Sequence, residues 1–235
     1  VQTNQSFAQF GSDLDNQITK NIYTQGEFQD DVIGVDMSEE MLTEAMEKVM
    51  DMEQPPMFPC QKLQELRLTR GVDLAVCALD SLDYITNPAD CAEAIRRVYK
   101  ALNPGGCFIF DVNTPHKFKH VYGDHAYILE DEDEDGRAVF CGWQNEYDPE
   151  SRLCKFYLSL FAEGEDGVYT RSDEEQTERC FDEAELTAAL DEAGFDLCGI
   201  YSDFDFSPVT ETTERWYVVA RTRKRGDWYL CADPV

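Results

Sequence analysis

Val32-Ile33-Gly34-Val35-Asp36-Met37-Ser38-Glu39-Glu40-Met41-Leu42 is the stretch on which the fold turns. Val32 to Val35 read as a short buried strand that ends in an acid, Asp36. Ser38 is a good helix N-cap, and Glu39 and Glu40 follow in the first turn, where negative charge favours the helix dipole. Met41, Leu42, Ala45, Met46 and Val49 then recur at helical spacing, and Pro55-Pro56 ends the unit.

Downstream the pattern repeats. Val72 to Leu79 is an apolar run broken once by Asp73, as expected of a strand buried on both faces. Asn87-Pro88 is an N-cap followed by proline at the first helical position. Cys91, Ala94, Ile95, Val98 and Leu102 form one apolar helical face. Asn103-Pro104-Gly105-Gly106 reads as a turn, and Cys107 to Val112 as another buried strand. Strands alternating with helices over such short links imply parallel pairing with right-handed crossovers. The expected fold class is α/β, a Rossmann-like doubly wound, mostly parallel sheet.

From Pro115 to about Arg179 helical periodicity disappears. Tyr127-Ile128-Leu129, Ala138-Val139-Phe140, Leu153 to Phe161 and Val168-Tyr169 read as short strands of an antiparallel insertion. Glu130 to Asp135, six acids closed by Gly136, read as a solvated hairpin tip. Regular structure returns at Phe181. Asp182 and Glu185 make a capping box, Phe181 and Leu186 a hydrophobic staple, and Gly194 the helix C-cap. Strands near Leu197 to Asp203 and Trp216 to Thr222 close the chain as an antiparallel hairpin. Residues 1–114 and 181–225 are thus expected to form the core, 115–180 the inserted antiparallel unit and 226–235 a tail.

The 235 residues carry 20 basic and 48 acidic side chains, a net charge of −28. That charge disfavours nucleic acid, because phosphate-backbone binding needs Lys and Arg to displace counterions. It equally disfavours anionic lipid. The hydrophobic fraction of 43% is enough to fill a core. No apolar run approaches the ~20 residues of a membrane helix, and Val1 to Gln5 lead into no signal-peptide core. The nine cysteines include no Cys-x-x-Cys pair, and several sit in apolar strands or helices, so a reduced, cytoplasmic chain is expected.

The candidate chemistry lies where open α/β sheets bind ligands, beyond the carboxyl ends of strands. Asp36 stands where a carboxylate accepts both ribose hydroxyls, or alternatively helps start the next helix. Asp80, Ser81 and Asp83 follow the second strand, and Asn113 and Thr114 the third. His116 and His120 are four residues apart with His125 nearby, but no third ligand has zinc-site spacing, so no metal is expected and His116 is at most a base. No nucleophile elbow or phosphate loop is present.

These residues resemble a family. Val32 to Leu42 resembles the second motif of class I S-adenosylmethionine-dependent methyltransferases. Val72 to Tyr84 resembles their fourth motif, and Leu102 to Asp111 the Pro-Gly-Gly lead-in and the strand that follow it. The antiparallel insertion resembles the lid of a small-molecule branch. The resemblance implies that Asp36 binds the ribose and Met37 lies against the adenine, with Gln61, Lys62 and Leu63 at the adenine edge. It places Asp80 and Ser81 near the sulfonium and the acceptor, Asp80 orienting or deprotonating the acceptor with Asn113 or His116 behind it. It implies S-adenosylmethionine as cofactor, S-adenosylhomocysteine as product and a small-molecule acceptor, and it leaves a homodimer open.

Two departures stand out. No Gly-x-Gly precedes Asp36, where the family has a glycine-rich turn; Gly11, Gly26 and Gly34 are isolated. Either that motif is lost, or residues are missing between about Phe10 and Asp31; an intact mass of 26.9 kDa would refute the second explanation. Lys62 stands where the family usually has an acid, and an ammonium cannot accept a hydrogen bond from the adenine amine. The expected function is methyl transfer to a small or medium-sized acceptor. The rivals are an inactive methyltransferase-like binding protein and a nicotinamide-dependent oxidoreductase.

Overall fold

The computed structural model describes residues 32–133 and 136–223. The helix start read at Ser6 to Phe10, the region that would precede Asp36 in a glycine-rich turn, and Lys224 and Arg225 lie outside them. The chain divides into two compact units, one containing Asn113–Cys180 and the other Gln29–Val112 with the segment after Phe181.

The second unit is α/β. Its elements are helix α1 (Glu39–Lys48), a 3₁₀ turn (Leu63–Glu65), strand β1 (Val72–Cys77), helix α2 (Pro88–Ala101), strand β2 (Leu102–Asn113), helix α3 (Glu183–Ala193) and strands β7 (Phe195–Tyr201) and β8 (Arg215–Thr222). The helix signals in the sequence act as expected. The Ser38 hydroxyl accepts from the Met41 amide, and the Asn87 side chain accepts from the Ala89 amide with Pro88 in the first turn. Asp182 and Glu185 form the reciprocal capping box, and Gly194 ends α3 in the left-handed conformation. One core cluster joins Cys91, Ala94, Ile95 and Val98 of α2 to Phe108, Phe110 and Val112 of β2, Leu186 and Leu190 of α3, and Phe195, Val218 and Ala220.

The sheet corrects the sequence reading in four places. Its order is β1-β2-β8-β7, with β1 and β2 parallel and β7 and β8 antiparallel. Gly105 meets Thr222 at one end of β2 and Asp111 meets Arg215 at the other, so β8 runs against β2. The described sheet is therefore mixed rather than mostly parallel, because the C-terminal hairpin supplies half of it. Among the described residues Val32 to Asp36 makes isolated parallel bridges, Ile33 with Met57 and Asp36 with Cys60, and no continuous ladder. Helix α1 buries Leu42 and leaves Met41 and Met46 exposed. β1 is not covered on both faces: Leu74 is 49% and Val76 46% exposed. Finally, Asn103 to Gly106 belongs to β2, since Leu102 already pairs with Val72 and the Gly105 amide donates to the Thr222 hydroxyl.

The other unit is a four-stranded antiparallel sheet in the order β3 (Ala126–Glu132), β4 (Ala138–Asp148), β5 (Leu153–Glu163), β6 (Tyr169–Arg179). The strands run longer than their apolar centres suggest. Acids such as Glu130 and Glu175 occupy exposed strand positions, so part of the acidic run lies in β3 and not in a tip. Lys117–Tyr122, where the sequence shows no helical periodicity, is a short π-helical turn. Its Phe118 and Tyr122 pack with Cys141, Cys154, Phe156, Leu158, Leu160 and Cys180 in a second core.

Candidate active site

Asp36 ends the first bridged segment and is exposed. Its Oδ1 accepts the Ser38 amide at 2.7 Å, so it does contribute to starting α1. A carboxylate has about four acceptor positions, and this bond uses one of them. Met37 is 67% exposed beside it. The Asp36 carbonyl accepts the Gln61 amide at 2.9 Å, and the Cys60 thiol donates to the Met37 carbonyl at 3.5 Å. Asp36, Met37 and Gln61 are therefore brought together. The Gln61 side chain, however, is closed onto Arg67: its Oε1 accepts the Arg67 amide at 2.8 Å and its Nε2 donates to the Arg67 carbonyl at 3.3 Å. Lys62 is exposed at the N-terminus of the 3₁₀ turn, and Leu63 packs against the main core.

Asp80 sits just past the carboxyl end of β1, within a second cluster. Leu79 and Asp80 both have left-handed backbone, with φ of 58° and 52°. The Asp80 amide donates to Asp111 Oδ2 at 3.2 Å. Arg215, the first residue of β8, places Nη1 3.2 Å from Asp80 Oδ1 and also bonds Asp111 Oδ2. Ser81 is exposed, and its hydroxyl donates to the Ala78 carbonyl at 2.7 Å. Burial pushes the Asp111 carboxyl above its ordinary range, against the pull of Arg215. Burial disfavours the Arg215 charge too, but attraction by Asp80 and Asp111 outweighs it and holds the guanidinium firmly protonated.

Asn113 and His116 belong to the antiparallel unit. Asn113 is fully buried; its amide donates to Glu178 Oε2 at 3.1 Å, and its Oδ1 accepts Lys117 Nζ at 2.9 Å. His116 precedes the π-helical turn, and its ring lies 5.0 Å from that of His120.

Asp111, Arg215 and Glu178 were not singled out from the sequence. Asp111 looked like one more strand residue. Arg215 lies 104 residues further along and has no motif around it; only the odd pairing of a buried acid with a lone basic residue at a strand start could have pointed to it.

Comparison with known proteins agrees with the fold. Residues 17–106 match the family model described as a methyltransferase domain. The chain is 32% identical over 196 residues to "Putative methyltransferase YqeM" of Bacillus subtilis (strain 168), covering 83% of this chain and 76% of that protein. A crystal structure of an S-adenosylmethionine-dependent methyltransferase from Clostridium acetobutylicum ATCC 824 superposes with a TM-score of 0.75 at 30% identity, over 83% of this chain and 76% of the other. The sugar N-methyltransferase KedS8 from Streptoalloteichus sp ATCC 53650 shares the fold, with a TM-score of 0.66 at 20% identity over 82% of this chain and 71% of that one. On these similarities, and on a sheet that carries acids beyond its strand ends, the chain belongs to the class I S-adenosylmethionine-dependent methyltransferases and is an enzyme that uses this cofactor.

Proposed function

We propose that the enzyme transfers a methyl group from S-adenosylmethionine to a small or medium-sized acceptor in the cytoplasm. The observation that carries the cofactor assignment is the exposed Asp36 carboxylate, held by the Ser38 amide and flanked by the exposed Met37. A carboxylate fixed through one oxygen keeps its other lone pairs for a pair of hydroxyls, and a thioether beside it offers an apolar face to an aromatic ring. These residues fit the ribose and adenine parts of the cofactor. The bound cofactor supplies an activated methyl group on a sulfonium.

The chain's own residues then position and shield. Asp80, held beside Arg215, orients the acceptor or takes its proton. No side-chain nucleophile is needed for direct transfer. Asn113, with its amide committed to Glu178 and Lys117, and His116 are secondary candidates to be judged by substitution. Lys62 cannot accept a hydrogen bond from an adenine amine, and the closed Gln61 side chain does not replace that acceptor. The −28 charge supports a small acceptor over a nucleic acid. KedS8, whose printed description is a sugar N-methyltransferase, shares the fold and supports a small acceptor. Among the described residues no helix is long and apolar enough to cross a membrane. The same reading assigns the antiparallel unit as a lid.

Isothermal titration of S-adenosylmethionine and S-adenosylhomocysteine into the wild type and the Asp36→Ala variant tests the assignment. The expected result is micromolar binding of both ligands that the variant greatly weakens. Equal binding by the variant removes Asp36 from the site. Binding of a nicotinamide nucleotide in place of either ligand would favour the oxidoreductase.

A further inference from the structure

The turn after β1 carries more strain than its sequence explains. Leu79 and Asp80 are consecutive left-handed residues, and neither is glycine. For a residue with a Cβ that conformation costs about 1 kcal/mol or more, so surrounding contacts must impose it. The Asp80 amide is held by Asp111, the Asp80 carbonyl accepts the Asp83 amide at 2.7 Å, and the Asp80 carboxylate reaches Arg215. Arg215 in turn bonds the same Asp111 oxygen that accepts the Asp80 amide. Asp111 thus ties the end of β2 to the backbone of the strained residue, and one guanidinium, from the start of a third strand, bridges Asp111 to that residue's carboxylate. Formal charges of −1, −1 and +1 leave the trio one negative charge.

We propose that Arg215 is a positioning residue: through its joint hold on Asp111 and Asp80 it keeps the Leu79–Asp80 turn left-handed, and so fixes the Asp80 carboxylate beyond the end of β1. The importance of this for catalysis rests on the assignment of Asp80 to the methyl-transfer site; the mechanical claim does not. Without the clamp, the turn relaxes toward ordinary backbone and the carboxylate loses its fixed direction. The cofactor anchor at Asp36 lies on a different segment and is untouched by the change.

Amide hydrogen exchange by NMR on the full chain reads the clamp directly. In Arg215→Met, the Asp80 and Asp83 amides should exchange about tenfold faster or more, while the Gly105 amide, at the other end of the β2–β8 pair, keeps its wild-type rate. Arg215→Lys, which keeps the charge, should recover most of the protection. A generally loosened fold would instead speed Gly105 as well and would not be rescued by Lys. Wild-type protection of Asp80 and Asp83 in a folded Arg215→Met protein overturns the proposal. Should that variant fail to fold, Arg215→Gln removes the charge and the reach to both carboxylates while keeping a polar side chain, and it carries the same expectation and the same refutation. Titration of S-adenosylmethionine into Asp80→Asn runs alongside. If both its affinity and methyl turnover match the wild type, the assignment of Asp80 to the site falls, while the exchange result still judges the clamp.

Discussion

Replacing Asp36 by Asn isolates the charge of the proposed ribose-binding group from its structural duty. In the wild type, Oδ1 accepts the Ser38 amide at 2.7 Å. Asn keeps a carbonyl oxygen able to make that bond, so the start of α1 is preserved. What changes is the other end of the group: an acceptor becomes an NH₂ donor, which faces the hydroxyls it should receive. A hydrogen bond to a charged group contributes about 1.5–3 kcal/mol, so S-adenosylhomocysteine affinity should fall about 10- to 150-fold. The melting temperature should hardly move, because Asp36 is exposed and its one intramolecular bond survives. Asp36→Ala should lose both the ligand and part of the helix start. Calorimetric titration paired with thermal melts separates the two effects. Wild-type affinity in Asp36→Asn, with the variant folded, would refute the reasoning, because no other residue has been given the ribose.

Four further outcomes follow from the same structure. Lys62→Glu supplies an acceptor at the proposed adenine edge and should tighten S-adenosylhomocysteine binding about 2- to 10-fold, for a net hydrogen bond of ~0.5–1.5 kcal/mol, read by the same calorimetry. Asp182→Ala breaks a capping box whose two bonds measure 2.8 and 3.1 Å; a loss of about 1–2 kcal/mol should lower the melting temperature by about 2–8 °C. Phe195→Ala empties a buried site where the ring meets Tyr99 edge-on at 5.2 Å and Phe108 at 5.8 Å; denaturant titration should show a loss of about 3–5 kcal/mol. The fourth concerns pH. Burial raises Asp111, so the folded chain holds this proton to higher pH than the unfolded one, and the resulting stability is present below the ordinary value of 3.8 and lost as pH rises through the raised one. Relative to Asp111→Asn, the wild type should therefore lose melting temperature as pH is raised from about 4 through that window; a constant difference would show that Asp111 does not titrate there.

The β1–α2–β2 unit could be read from the sequence because each signal was local: an apolar run, Asn87-Pro88, then one helical face. Asp182 to Gly194 was legible for the same reason. The strands of the antiparallel unit were undercounted because half of each faces solvent, and acids at those positions carry weak strand propensity. The Pro-Gly-Gly segment was taken for a turn because it is locally irregular: the register with β1 jumps from Leu102 to Cys107 and Gly105 is left-handed, while the residue that holds it, Thr222, lies far away in sequence. Asp36 and Asp80 followed from the rule that places ligands beyond strand ends. Asp111 and Arg215 did not, since an ion pair across 104 residues leaves no periodic trace. Nor could the sequence show that the Gln61 side chain is spent on its own loop.

The cysteines divide the molecule chemically. Burial pushes the Cys77 thiol up to about 12, with Asp111 adding to the effect, and burial followed by Glu178 does the same for Cys154. Cys91, Cys141 and Cys180 are buried as well. Thiolate is the reactive form, so these five stay quiet toward maleimides at neutral pH. Cys60 and Cys198 are exposed. Cys198 lies on β7, whereas Cys60 is bridged to Asp36 and bonds the Met37 carbonyl. A fluorophore attached at Cys60 would therefore sit beside Asp36, the carboxylate proposed to bind the ribose. The enzyme carries its own attachment point for an optical reporter of cofactor occupancy, with Cys198 as an internal reference label.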